Sequence, residues 1–179
     1  MVFDIYALVE GLWLLLPAYA ANGLAVIPQG RRPIDRGRMF RGRRLFGDGK
    51  TVEGFLFGVF AAVVVSAIQM AEFPFLPWGL SLVPLTLVPM SLPLGLLLGL
   101  GSMGGDLAGS FLKRRLGMER GRSFPLLDQE GFLLLAFLFA ALMVAVKWEW
   151  VILYVVLTPV FHLLANLIGY RAGLKKQPW

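Results

Sequence analysis

The chain has 179 residues, of which 58% are hydrophobic and only 16% charged, with a mean hydropathy of +0.72. Soluble domains run nearer half apolar and about a quarter charged, so a water-soluble domain, a disordered chain and a free-standing nucleic-acid-binding domain are all excluded. Zero cysteines and one histidine exclude disulfides, thiolate metal sites, a cysteine nucleophile and a multi-histidine metal site.

Apolar runs follow one another along the chain. A bilayer crossing takes about 20 helical residues. The first run covers 5–27, and no Lys or Arg precedes it, so the sequence predicts a membrane span there and not a secretory signal. The second covers 52–71. Between 73 and 93 lie Pro74, Pro77, Pro84, Pro89 and Pro93, which cannot share one straight helix. The reading there is a broken or interfacial segment, then a helix starting between Pro84 and Pro93 and ending near Arg115. The fourth run covers 131–146 and the fifth 150–170, kinked at Pro159. The fold class predicted is all-α: one polytopic transmembrane domain over residues 1–179 with five spans.

Basic residues set the orientation. Seven Arg (31, 32, 36, 38, 41, 43, 44) and Lys50 crowd residues 31–50, five more lie at 113–122, and three at 171–176. Of the 17 Lys and Arg, only Lys147 lies elsewhere. Five spans put the loops 29–51 and 113–130 and the C-terminal tail on one side. The positive-inside rule makes that side cytoplasmic and the N-terminus external. Trp13, Trp78, Trp148 and Trp150 fall near the outer ends, where interfacial aromatics gather. Gly95 and Gly99, and Gly101, Gly105 and Gly109, recur every four residues, a spacing that lets helix backbones approach closely. No internal repeat is present, which disfavours an inverted-repeat transporter.

The polar residues that carry chemistry gather at the cytoplasmic end. At about 100° per residue, Asp106, Ser110, Lys113 and Arg114 share one stripe of the third helix. Snorkelling explains the basic residues, but an acid one to two turns deeper faces a polar cavity more readily than lipid. Asp128 precedes the fourth helix. Alone it reads as an N-cap; beside Asp106 it suits a shared divalent cation, because Mg²⁺ takes one or two carboxylates plus substrate phosphates. In the first basic loop, Gly49, Lys50 and Thr51 open the second helix, and an N-terminus with a Lys and a hydroxyl suits phosphate. The Walker A pattern fails, since Arg44 stands where it needs glycine. Met39, Phe40 and Phe46 offer either a base-stacking or a packing surface. Asn22, His162 and Asn166 sit in apolar spans, where interhelical hydrogen bonding is the ordinary role.

Asp106, Ser110, Lys113-Arg114, Arg120-Gly121, Pro125 and Leu127-Asp128-Gln129 resemble the signature of membrane CTP:lipid-phosphate cytidylyltransferases. No His-Gly-Gly follows Pro125, and Gln129 replaces the Arg usual in phosphatidate cytidylyltransferases. The Ser110–Arg115 run, the Leu-Asp-Gln triplet and the small size are similar instead to the archaeal branch, the CDP-archaeol synthases. The likeness extends to Pro17, Tyr19, Asn22, the segment 49–54 and Pro178-Trp179. It implies a Mg²⁺-dependent nucleotidyltransferase of the cell membrane, with its active site facing the cytoplasm, that joins CTP to an ether-lipid phosphate. It further implies that Asp106 and Asp128 hold the metal and, with Lys113 and Arg114, form the catalytic group. Gly49, Lys50, Thr51, Ser110, Arg43 and Arg44 would bind CTP, and Asn22, His162 and Asn166 would border the lipid. Phosphatidate cytidylyltransferase activity on ester lipids is the neighbouring reading. A small anion transporter is a third, weakened because the charged residues line no path through the bilayer. Nucleic acid is not an expected partner, and oligomeric state stays open.

Overall fold

The computed structural model describes residues 5–76, 85–118 and 124–171; for residues 125–129, 162, 165, 166, 168 and 169 the description is of backbone alone. Among the described residues five helices carry the fold: α1 (Ile5–Leu24), α2 (Val52–Glu72), α3 (Leu92–Arg115), α4 (Pro125–Ala140) and α5 (Trp148–Arg171). A turn of 3₁₀ helix, Phe73–Phe75, extends α2. Three of the helical stretches, Ile5–Leu24, Val52–Phe75 and Leu92–Arg115, are long and apolar enough to cross a bilayer, and two shorter apolar stretches follow. The all-α expectation holds, with one small addition. The first basic loop contains a small antiparallel hairpin, β1 (Met39–Phe40) and β2 (Arg43–Arg44). Its turn residues Arg41 and Gly42 both take positive φ, 50° and 74°, the geometry that closes a two-residue hairpin loop.

Two predicted boundaries also move. The fourth helix ends at Ala140, six residues before the predicted end, because the chain winds into turns at 141–143. It then straightens so that Lys147 can reach Glu10. The helix begins earlier than predicted, with Pro125 in its first turn, where the missing N–H costs nothing. The third helix starts at Leu92, capped by Ser91, whose side chain accepts from the Leu94 N–H at 3.3 Å. Residues 85–91 precede it without regular secondary structure.

The bundle is built with its small residues inside. On α2 the buried positions are Gly54, Gly58, Ala61, Ala62, Ser66 and Gln69. Leu56, Phe60, Val64 and Ile68, spaced by four, form an exposed apolar stripe on the same helix. A soluble helix shows the reverse. In lipid, large apolar groups gain nothing by leaving the solvent, and small ones allow close backbone packing. Helix α3 is central and touches α4, α2 and α1. Its Gly101 and Gly105 press on the α4 backbone: a Cβ at Gly101 would lie 2.6 Å from the Leu135 carbonyl oxygen, and one at Gly105 would strike the Gly131 carbonyl.

Polar bonds tie the helices where apolar packing alone gives little direction. Pro17 in α1 removes the N–H that would bond the Trp13 carbonyl; Gln69 of α2 donates to that carbonyl instead, at 2.7 Å. Ser102 donates to the Ala18 carbonyl at 2.9 Å, and Tyr19 bonds Thr158 at 2.6 Å. At the end of the bundle away from the basic loop, Glu10 is 4% exposed. It accepts from Lys147 Nζ (2.6 Å), from Trp150 Nε1 (3.3 Å) and from the N–H and hydroxyl of Thr86 (2.8 and 2.6 Å).

The α3–α4 contact yields a paired prediction. Gly105→Ala forces backbone against backbone and should lower stability by about 1–3 kcal/mol, as overpacking does. Gly104→Ala, whose Cβ would meet its nearest neighbour at 3.7 Å, should be close to neutral. Thermal unfolding of the two purified variants in detergent checks this, and equal midpoints would contradict it.

Candidate active site

The site begins with the folding of the basic loop. Asp35, 3% exposed, is its organising centre. Its carboxylate accepts backbone N–H bonds from Gly37, Phe46 and Gly47 (3.1, 3.0 and 3.0 Å) and two bonds from the Arg44 guanidinium (2.5 and 3.2 Å). Burial works against ionisation of Asp35, but Arg44 and the three N–H groups outweigh it and hold the carboxyl far below the usual range. Arg44 also reaches Asp48 at 2.8 Å. The hairpin then locks onto the last turn of α3 by a reciprocal exchange. Arg43 donates to the carbonyls of Arg114 and Arg115, both at 3.2 Å, and so satisfies helix-end acceptors that lack intrahelical donors. Arg115 returns bonds to the carbonyls of Phe40, Arg43 (3.2 Å) and Arg44 (2.6 Å). The Arg115 guanidinium lies over the rings of Phe40 and Phe111, at 5.2 and 5.0 Å. Phe40 and Phe46 both pack beside Phe111.

The second half of the loop is pinned to the start of α2. Residues 32–34 run beside 50–52: Ile34 donates to the Lys50 carbonyl (2.8 Å), Val52 to the Arg32 carbonyl (2.9 Å), and Pro33 bridges Thr51. Thr51 caps α2, its hydroxyl accepting from the Gly54 N–H at 3.2 Å. Gly30 must be glycine here, because a Cβ would collide with the Thr51 and Glu53 side chains.

Between the loop and the ends of α1, α2 and α3 lies a cavity of about 320 Å³, within the range of small-molecule sites. Asn22, Gln29, Asp48, Gly49, Lys50, Thr51 and Asp106 give it polar walls; Val26, Phe55, Met103 and Leu107 give it apolar ones. Lys50 Nζ stands 2.6 Å from each Asp106 carboxylate oxygen. One wall thus carries a cation and a carboxylate that no third group separates.

Of the residues singled out from the sequence, Gly49, Lys50, Thr51, Asp106 and Asn22 meet in this cavity. Asn22, expected beside the lipid, shares the chamber with Lys50. Ser110, Lys113 and Arg114 continue α3 beyond Asp106 and do not line the cavity. Arg43 and Arg44, expected on the nucleotide, have their guanidinium groups engaged in holding the loop together. Met39, Phe40 and Phe46 split: the two rings pack on Phe111, while Met39 is exposed. Asp128 lies in the first turn of α4, and His162 and Asn166 on α5, but their side chains fall outside the described residues, as does Arg120 entirely. Asp35 and Gln29 were missed. The signal for Asp35 was its position: it is the lone acid among the arginines of residues 31–44.

The fold and this site define a class, a helical membrane protein with a loop-covered cavity of mixed polar and apolar lining. The profile of a family described as CarS-like, CDP-archaeol synthase, matches residues 3–179. The CDP-archaeol synthase of Pyrococcus abyssi is 44% identical over 171 residues, covering 95% of this chain and 97% of its own. That of Halobacterium salinarum is 41% identical over 180 residues, covering 96% of each. A solved intramembrane enzyme for archaeal membrane lipids biosynthesis superposes with a TM-score of 0.74 at 38% identity, over 88% of this chain and 93% of that one. The chain belongs to the CDP-archaeol synthase family.

The Asp35 hub has a pH signature. Unfolded, its carboxyl titrates near 3.9; folded, it does so well below. A depressed carboxylate contributes its full stabilisation above the unfolded pKa and loses it as pH falls through the folded one. Protection of residues 36–47 from limited proteolysis should therefore hold from neutral pH down to about 4 and fail only in stronger acid. Asp35→Asn should lose that protection at neutral pH, and an equally protected variant would rule out the hub.

Proposed function

We propose that the chain transfers the cytidylyl group of CTP to 2,3-bis-O-geranylgeranylglycerol 1-phosphate, giving CDP-archaeol and pyrophosphate. Beside family membership, one observation carries the reading: Lys50 and Asp106 face each other in a cavity between a folded basic loop and a lipid-suited bundle. The lipid phosphate is already anionic, so no histidine or cysteine base is needed. A phosphate oxygen attacks the α-phosphorus of CTP, and the bond to the bridging oxygen of pyrophosphate breaks. Such chemistry asks for alignment and charge neutralisation. Lys50 supplies a cation to the triphosphate, and the Gly49–Thr51 turn orients it. Lys113 and Arg114, two turns along α3 from Asp106, draw the two anions together. Ser110 offers a hydroxyl between them. Arg43 and Arg44 act through the loop that they hold closed.

Asp106 is of the donor type that suits Mg²⁺. Asp106 presents both oxygens to a cation inside the cavity, and hard carboxylate oxygen with substrate phosphate is the usual magnesium environment. Among the described residues no group of three or more potential ligands occurs, and one or two carboxylates suffice. Asp106 and Asp128 would hold the ion, which when bound neutralises triphosphate charge. In this reading Asn22, His162 and Asn166 would border the lipid phosphate.

In this reading residues 1–179 form one catalytic domain of the cell membrane with five spans, the cavity on the cytoplasmic side. The one-sided basic segments support it. In sealed right-side-out vesicles, Arg38→Cys should resist an impermeant thiol reagent and Gly79→Cys should react; the reverse pattern would overturn the orientation.

The activity is tested with purified protein, CTP, ATP or GTP, ether- or ester-lipid phosphates, and with or without Mg²⁺. CDP-lipid from CTP and the ether lipid, dependent on Mg²⁺, is expected; turnover only with ester lipids would reassign the substrate. Asp106→Asn and Asp128→Asn should each abolish turnover. Asn caps helices about as well as Asp, so Asp128→Asn should still melt normally. A normally melting Asp128→Asn enzyme with near wild-type turnover would end its assignment as a ligand.

A further inference from the structure

We propose that Lys50 is a built-in counter-ion that keeps Asp106 closed to divalent cations until nucleotide draws it away, so that metal and nucleotide enter as a coupled pair. The inference rests on the reading of Asp106 as a metal ligand and concerns what precedes catalysis.

The geometry is the first argument. The Lys50 ammonium stands 2.6 Å from both Asp106 oxygens and so occupies the space between them, where a chelated cation would sit. A divalent ion approaching those oxygens meets a fixed positive charge on the same carboxylate. The second argument is that the pair is displaceable. The two side chains are 28% and 24% exposed and form a cavity wall open to solvent, where ion pairs contribute little net stability. The third is that only the side chain needs to move. The backbone around Lys50 is fixed by Ile34, by the Pro33–Thr51 bridge and by the α2 cap. The four-carbon stem is flexible and can swing into the cavity about that fixed point.

Something must draw the ammonium off. Asp48 lines the same cavity but is paired with Arg44 at 2.8 Å, and in the absence of ligand Lys50 stays on Asp106. A triphosphate brings several anionic oxygens into the chamber at once. When Lys50 turns to them, Asp106 is left as an uncompensated carboxylate beside the same phosphates. The departure of one cation thus creates the site for the other. Coupling of this kind is reciprocal, and metal strengthens nucleotide binding by the same factor.

Mn²⁺ binding to the full chain in detergent, followed by electron paramagnetic resonance without nucleotide, reads this directly. Wild type should bind Mn²⁺ weakly. Lys50→Met should bind it tighter by on the order of tenfold, a typical coupling factor, and Lys50→Arg, which keeps the charge, should resemble wild type. Adding Asp106→Asn to Lys50→Met should erase the gain. Should Lys50→Met fail to fold, Lys50→Gln gives the same comparison. A neutral Lys50 variant that binds Mn²⁺ no better than wild type would overturn the counter-ion role. Separately, if Asp106→Asn still binds Mn²⁺ as wild type does once CTP is present, the metal-ligand reading of Asp106 fails.

Discussion

The close approach of α3 to α4 is the constraint on which the remaining geometry hangs. Lipid offers no hydrophobic drive for one apolar helix to prefer another, so association depends on how near two backbones can come. Gly101 and Gly105 of α3 let the backbone around Gly131 to Ala136 settle directly against them. Asp106 follows Gly105 immediately, and Asp128 precedes Gly131 by three residues. The contact that binds the helices therefore also sets how far apart those two positions lie along the α3–α4 seam. A bulkier seam would separate the helices and the two carboxylate-bearing backbones together.

A second principle governs the loop. Eight cations in twenty residues would repel one another in an open chain. The structure converts several of them into folding elements. Arg44 is neutralised by Asp35 and Asp48, Arg32 by Glu53 at 2.6 Å, and Arg43 is placed on carbonyl oxygens at the C-terminus of α3, where positive charge is favoured. Lys50 is the loop cation that lines the cavity and bonds the α3 carboxylate there, Asp106. Charge density, which looks from composition like a phosphate trap, is here largely spent on holding the loop in a shape that places one lysine.

Much of this was legible in the sequence, for identifiable reasons. Helix positions follow from hydropathy and proline placement, so the starts of α1 and α2 and the late start of α3 were readable. The meeting of Lys50, Thr51 and Asp106 was foreshadowed because an acid inside an apolar helix and a Gly-Lys-Thr turn at a helix start are each expensive without a partner. What escaped was pairing at a distance. Nothing local distinguishes Arg44, which closes on Asp35, from an arginine free for a ligand, since both look alike in a string of cations. The hairpin escaped because its strands are two residues each, too short for periodicity. The end of α4 escaped because residues 141–146 are as apolar as the helix before them. They leave it to let Lys147 reach an acid 137 positions earlier.

That reach of Lys147 to Glu10 fastens one end of the bundle. Glu10, Thr86, Lys147 and Trp150 knot α1, the irregular segment before α3 and the start of α5 at the end remote from the cavity. Three segments are fastened there as legs are at the hinge of a pair of tweezers. A buried acid and the half-exposed lysine that it holds, remote from the cavity, thereby clasp three separate segments of the chain.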